Sequence, residues 1–166
     1  HFTRVATLIC LCALLLAGFA VLILSQWPDP YLHIVVCDVG QGDAILLRQG
    51  FSQVLVDAGL QDDSILQCLR EQLPFWDRRI EWIVPTHLDA DHIGGFSSVL
   101  DRFQVLNLLL PRDTKQTADF DRFESAVLRE REAGAQTYDA EMGTKIYVSP
   151  DWSLWAIYAP LTQLQL

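Results

Sequence analysis

The chain has 166 residues, a formal net charge of −9 and a hydrophobic fraction of 51%. So acidic a balance excludes attachment to nucleic acid through a broad basic surface. The high apolar content needs a location, because a charged soluble domain alone would not carry it.

It lies at the start. Residues 5–24 carry no charge, and Thr7 is the one clear polar interruption. At about 1.5 Å per residue the run spans roughly 30 Å, the thickness of a hydrocarbon core. A cleaved signal would have a shorter apolar region and a small-residue cleavage site, whereas Ser25-Gln26-Trp27-Pro28 offers none. Trp27 suits an interfacial anchor, and Pro28 and Pro30 stop a helix. The pattern predicts a transmembrane helix within residues 1–27. Arg4 is the nearby basic residue, which by the positive-inside rule puts residue 1 in the cytoplasm and the remainder outside. The chain opens on His1 and stops just after a strand-like run, the expected look of a piece of a longer protein, with this helix the last of several.

Cys10 and Cys12 sit inside the span, as packing or lipid-facing thiols. Cys37 and Cys68 have no C-x-x-C spacing. That supports neither a zinc knuckle nor a redox motif, and leaves a disulfide between them open.

Residues 28–166 are enough for one modest domain with a real core. Strands are expected over 33–39, 44–48 and 53–57, joined by a turn at Val39-Gly40-Gln41-Gly42-Asp43 and another at Gln49-Gly50, as a meander. Asp62-Asp63-Ser64 reads as the cap of a helix with Ile65, Leu66, Leu69 and Leu73 on one face. A strand ending at Pro85, a helix over 96–103, a buried strand over 105–110 and a helix over 119–133 follow. Strands over 145–148 and 153–158 come last. A meander followed by alternating strands and helices implies a layered α/β domain.

Between the strand ending at Pro85 and the next helix stands Thr86-His87-Leu88-Asp89-Ala90-Asp91-His92-Ile93-Gly94-Gly95. Its core is H-x-D-x-D-H, with two of the chain's four histidines. A shuffled chain of this composition would carry that pattern on the order of once per thousand shuffles. Neutral imidazoles and carboxylates are ligands of borderline and hard divalent metals. If residues 87–91 stay extended, His87, Asp89 and Asp91 share one side, and His92 joins them from the first helical turn. The alternative is a solvated acidic loop in which Asp91 caps the following helix.

This loop resembles the H-x-H-x-D-H loop of the metallo-β-lactamase superfamily, with Asp89 where the second histidine normally stands. Asp57-Ala58-Gly59 resembles that family's first motif. Asp38-Val39-Gly40-Gln41-Gly42-Asp43-Ala44 resembles the signature of one branch, the extracytoplasmic domain of the ComEC competence family. The likeness covers residues 31–160. It implies an αββα sandwich, incomplete here, over residues 28–166 as the N-terminal part of the domain, with the metal site at the edge between two sheets. The family's later histidines have no counterpart after His92, so the resemblance implies a half-site that is inactive alone.

On this reading two divalent ions are held by His87, Asp89, Asp91 and His92, and Asp91 also orients a water as the catalytic group. Mn2+ is favoured because Asp89 hardens the donor set, with Zn2+ the alternative. Asp57 is expected to orient a ligand by hydrogen bonding. Gly94 and Gly95 are expected to let backbone N–H groups approach a phosphate. Asp38, Gln41 and Asp43 either line the cleft or simply close their turn. The implied function is DNA uptake in natural competence, with the domain a metal-dependent phosphodiesterase or nuclease on incoming single-stranded DNA. The implied partners are the membrane and other parts of an uptake channel. Two alternatives are a non-catalytic domain that guides the strand, and a membrane-tethered hydrolase of a small substrate. Arg70, Arg78 and Arg79, or Arg112 and Lys115, are candidates for small basic patches.

Overall fold

The computed structural model describes residues 2–150 and 152–156. Helix α1, Phe2–Ser25, has a mean hydropathy of 2.9 in its most apolar window and none of that window is buried. Leu14, Leu15 and Leu16 are about two-thirds exposed (71%, 66% and 69%). A helix so apolar on all sides, with its most apolar window unburied among the described residues, is long and apolar enough to cross a membrane.

Strands β1 (His33–Val36), β2 (Ile45–Gln49) and β3 (Ser52–Val56) form the expected antiparallel meander, with Val36 opposite Ile45 and Leu46 opposite Leu55. Helix α2, Ser64–Gln72, then crosses to β4, Arg79–Val84, which runs parallel to β3. Helices α3 (Ala90–Ile93) and α4 (Phe96–Leu100) lead to β5, Gln104–Pro111. Helix α5, Ala118–Glu132, leads to β6, Gln136–Ala140. The sheet order is β1-β2-β3-β4-β5-β6, and β3 to β6 are parallel. Each crossover steps one strand in the same direction. Because such crossovers are right-handed, all the connecting helices fall on one face.

Adjacent strand residues therefore serve different cores, since side chains alternate across a sheet. Leu46, Leu55 and Leu108 face the helices and pack with Ile65, Leu69, Phe96, Val99, Phe123 and Ala126. Leu47, Val54 and Leu109 face the other way and pack with Ile146 and Val148. Those two belong to β7, Lys145–Ser149, which pairs antiparallel with β8, Trp152–Trp155, in a second small sheet. The layers are helices, large sheet and small sheet, the αββ part of the expected sandwich.

Thr117 caps α5, its hydroxyl oxygen accepting from Phe120 N at 3.2 Å. Asp119 and Asp121 in its first turn and Arg129 and Arg131 in its last complement the helix dipole. Cys37, just after β1, and Cys68, on α2, form a disulfide with Cα atoms 5.7 Å apart. It resolves the pairing that the spacing left open and pins α2 to the meander.

Several boundaries shift. Strand β1 stops at Val36, although Cys37 N still donates to Ala44 O, because Asp38 to Gly40 turn and Asp38 Oδ1 accepts from Gly40 N. The helix expected over 96–103 ends at Leu100, and Phe103 is buried from the turn beyond it. Strand β6 was not expected at all. Ile157 and Tyr158, at the end of the last expected strand, lie outside the described residues.

Candidate metal centre

The site is built at the carboxyl ends of the neighbouring parallel strands β3 and β4, where open α/β sheets place their clefts. Asp57 follows β3 with φ of 56°. This left-handed conformation is uncommon outside glycine and tolerated best by Asp and Asn. Asp57 N donates to Val84 O at 3.2 Å, and Ala58 N donates to His92 O at 2.8 Å. The turn is thus tied to both ends of the loop that follows β4, and this positions the Asp57 side chain beneath that loop.

The Asp57 carboxylate is 3% exposed and accepts three hydrogen bonds. Thr86 N donates at 2.7 Å, Thr86 Oγ1 at 2.6 Å and His92 Nδ1 at 2.9 Å. The Thr86 hydroxyl has one proton. Having given it to the carboxylate, Oγ1 accepts from His87 Nδ1 at 3.0 Å. One buried carboxylate therefore sets both imidazole tautomers, directly for His92 and through a hydroxyl for His87. In its neutral form with this tautomer, each ring offers Nε2 as a lone pair, the form a metal needs. The two rings lie 3.7 Å apart between centroids.

Ligand atoms from Asp57, His87 and His92 lie within 4.8 Å of one another. Both Asp57 oxygens, however, are already occupied by hydrogen-bond donors. Their geometry fits an orienting group better than a direct ligand. Asp91 Oδ1 lies 3.9 Å from His92 Nε2, and Asp89 Oδ2 lies 3.3 Å from His87 Nε2. Two bare imidazole nitrogens beside two partly exposed carboxylates make a donor set that fits a divalent cation.

Two expectations about the loop are corrected. Helix α3 starts at Ala90 with Asp89 at its N-cap position, so Asp91 lies inside the first turn and is not the cap. The run is therefore not extended through 91. The helix brings Asp91 and His92 round to the site instead of strand alternation. Gly94 and Gly95 have a packing role. Gly94 N donates to Ala90 O and Gly95 N to Gly59 O, so neither N–H is free for a phosphate. A Cβ on Gly95 would lie 2.1 Å from Ala58 O, and one on Gly94 would lie 2.5 Å from Gln61 N. The glycines are there because α3 and α4 press on the 58–61 segment.

The Asp38 to Asp43 turn touches the loop through its backbone. Gly42 has φ of 90°, and a Cβ there would lie 1.8 Å from Asp91 O. Asp43 O accepts from Gly59 N at 3.0 Å. Asp38 closes its own turn, while Gln41 and Asp43 side chains are exposed beside the loop without hydrogen-bond partners among the described residues.

Lys115, between β5 and α5, forms an ion pair with Asp89. Its ammonium holds the Asp89 carboxyl below the usual carboxylate range. No local pattern signals this pairing, since 26 residues separate the two. Thr86 was visible in the motif but given no role. The proposed patches also separate. Arg112 pairs with Asp139 and Glu141, Arg79 with Glu81, and Arg78 stacks over Phe103. A cavity of about 650 Å³ lined by Trp76, Arg78, Arg79 and Phe103 opens at the opposite end of β4 and β5 from the loop.

The sequence profile of the metallo-beta-lactamase superfamily matches residues 37–154. The chain belongs to this superfamily. Superfamily membership implies divalent metals, usually zinc, and Asp57, His87 and His92 form a group that could hold an ion. Recombination protein 2 of Haemophilus influenzae is 30% identical over 111 residues, covering 65% of this chain and 14% of the relative. Competence protein ComA of Neisseria gonorrhoeae is 33% identical over 86 residues, covering 52% of this chain and 12% of the relative. The chain thus spans only about one seventh of these relatives. Among solved structures, the metallo-beta-lactamase SMB-1 bound to 2-mercaptoethanesulfonate matches with a TM-score of 0.50 at 17% identity, over 75% of this chain and 51% of that one. MEM-A1, a subclass B3 enzyme from a soil metagenome library, matches with a TM-score of 0.50 at 19% identity, over the same shares. These two likenesses show the fold.

Proposed function

We propose that this chain is the membrane-tethered start of a metal-dependent phosphodiesterase or nuclease domain acting on single-stranded DNA during natural competence. The observation that carries the reading is the Asp57 network, in which Nδ1 of His92 meets the carboxylate and Nδ1 of His87 meets Thr86 Oγ1, so that Nε2 of each neutral ring is the atom left for a metal. The competence relatives and the Asp38 to Ala44 turn favour DNA over a lactam or other small substrate. Association with further parts of an uptake channel fits the small share of the relatives that this chain spans.

His87 and Asp89 would hold one divalent ion, Asp91 and His92 a second. Bound there, the ions would supply Lewis acidity toward a phosphodiester and a nucleophile at neutral pH. The chain's own residues do the rest. Asp57 and Thr86 hold the imidazoles in register, and Asp91, half-buried in the first turn of α3, accepts a proton from an attacking water. Gln41 and Asp43, exposed beside the loop, would be available to line the cleft.

Two observations support an extracytoplasmic domain. Disulfides such as Cys37–Cys68 persist in oxidising compartments, and Arg4, in the first turn of α1, precedes its apolar run on the side expected to face the cytoplasm. A second reading, a domain that guides DNA without cutting it, is favoured by one feature. Lys115 already neutralises Asp89.

Asp89 replaces an imidazole with a harder oxygen donor, so Mn2+ is expected to support faster cleavage than Zn2+, although zinc binds more tightly at most sites. A nuclease assay on the complete domain at saturating metal tests this. Asp89→His should narrow or reverse the Mn2+/Zn2+ ratio. A wild-type domain fastest with zinc, and unmoved by the substitution, would contradict it.

A further inference from the structure

Where α1 meets the domain, the chain is tied down on two sides. Phe75 N donates to Gln26 Oε1 at 3.2 Å, and Gly50 N donates to Asp29 O at 3.0 Å. Trp27 packs edge-on against Phe51 with ring centroids 5.4 Å apart. Between these ties lies a cavity of about 390 Å³ lined by Gln26, Trp27, Asp29, Arg48, Arg70 and Glu71 among others. That is within the range of pockets that hold small molecules.

Its depth follows from α1. If the apolar helix fills the hydrocarbon core, residues 25–29 stand in the headgroup layer, roughly 5–8 Å thick on each side. Trp27 belongs at that level too. The cavity therefore opens among phospholipid headgroups on the side of the membrane that carries the domain.

Its charges are unevenly satisfied. Arg48, on β2, has a buried Nε with no hydrogen-bond partner. Neither Arg48 nor Arg70 makes an ion pair among the described residues. Two guanidiniums on one cavity wall with no ion-pair partner among the described residues suit an anionic ligand. Both carboxylates on the wall are engaged, though not saturated. Asp29 accepts from His33 Nε2 at 2.8 Å and from Tyr31 N at 2.9 Å, and Glu71 Oε1 accepts from Gln67 Nε2 at 2.9 Å. Two guanidiniums and two carboxylates around one cavity match a ligand that carries both a phosphate and a cationic amine. Guanidinium forks suit phosphate oxygens, and carboxylates with spare lone pairs suit an ammonium.

We propose that this junction is a phospholipid site for a primary-amine headgroup, phosphoethanolamine, with Arg48 and Arg70 on the phosphate and Glu71 and Asp29 toward the ammonium. The proposal rests on the reading that α1 crosses the membrane. It makes the cavity a lipid clamp that sets the height of the domain above the bilayer.

The test uses the intact membrane protein, purified in mild detergent and mixed in turn with phosphatidylethanolamine, phosphatidylcholine and phosphatidylglycerol. Retained lipid is read by native mass spectrometry. Phosphatidylethanolamine should be retained about tenfold more than the other two, because choline offers no N–H and glycerol no charge. Arg70→Ala and Glu71→Gln, both on the exposed side of α2, should each remove most of that preference. Arg48→Lys should keep part of it, since one phosphate contact survives. Water-soluble glycerophosphoethanolamine should not displace the lipid, and neither should a single-stranded oligonucleotide. Equal retention of all three lipids, no effect of Arg70→Ala and Glu71→Gln, or displacement by either soluble ligand would overturn the proposal. Alkaline carbonate extraction separates the two layers of the argument. Protein released from membranes by carbonate overturns the spanning reading and this proposal with it. Protein that stays inserted but holds the lipids alike overturns this proposal alone.

Discussion

The two faces of the large sheet are covered very differently. On the helix face, side chains from Cys37 to Val127 close one continuous core, and Leu55, Ile65, Ile83, Phe96 and Leu108 are wholly buried in it. On the other face, among the described residues, Leu47, Val54, Trp82 and Leu109 meet Ile146 and Val148 of β7 with partly buried residues such as Trp152 and Leu154 around them, while Ile34 and Val36 on β1 are 65% and 76% exposed. The metal loop belongs to the first face. Its Leu88 and Ile93 are anchored in the helix-side core, so the ligand geometry is held by the better-packed half of the molecule. A functional loop can be rigid when its apolar residues are fixed from below and its polar ones meet at a buried carboxylate.

This contrast can be broken by truncating one residue on each face. Phe96→Ala should cost about 3–5 kcal/mol, because it opens a cavity in a closed core. Val148→Ala should cost only about 1 kcal/mol, because the thin second sheet can settle over the gap. Thermal and denaturant unfolding of the complete domain would measure both. Equal losses would mean that the two faces are equally consolidated.

The disulfide sharpens the same comparison, since Cys37 and Cys68 both lie in the helix-side core. Replacing both with alanine should destabilise the domain by about 2–4 kcal/mol. The wild type should lose a similar amount in reductant, and the double variant should be insensitive to it. A reductant effect that persists in the double variant would place the sensitivity elsewhere.

A smaller effect concerns the sheet between the faces. Glu81, on β4, accepts from Gln53 N at 2.7 Å, and its burial pushes its carboxyl above the usual glutamate range despite that bond and Arg79. A raised value means that the fold favours the protonated form. That contribution is full below the ordinary glutamate range and is lost as pH rises through the raised value. Relative to Glu81→Gln, the wild type should therefore lose stability as the pH rises from below the ordinary glutamate range to neutral. Unfolding midpoints at those two pH conditions check the sign, and a relative gain by the wild type would reverse the account.

Much of this was legible in the residues. The meander, the crossover helices and the H-x-D-x-D-H loop follow from apolar runs, turn glycines and side-chain chemistry, all of them local signals. Strand β6 was not legible. Gln136, Thr137, Tyr138, Asp139 and Ala140 show no apolar alternation, because an edge strand with only Thr137 and Ala140 partly buried has little core to match. Lys115 on Asp89 was hidden for another reason, since the pair exists only once the β5–α5 loop folds back over α3. The start of α3 at Ala90 was missed because a short helix of four residues leaves no period to read. Asp57 was legible as an orienting group only through its family motif, whereas its left-handed backbone and its three donors required the fold.

The central claim is that His87 and His92, held by Asp57, are metal ligands, and elemental analysis tests it most directly. In the complete domain, loaded with Mn2+ or Zn2+ and freed of excess metal, His87→Ala and His92→Ala should each lose most of the bound ion. His33→Ala should keep all of it, because His33 pairs with Asp29 at the membrane end of the domain. Equal metal content in the three variants and the wild type would contradict the assignment.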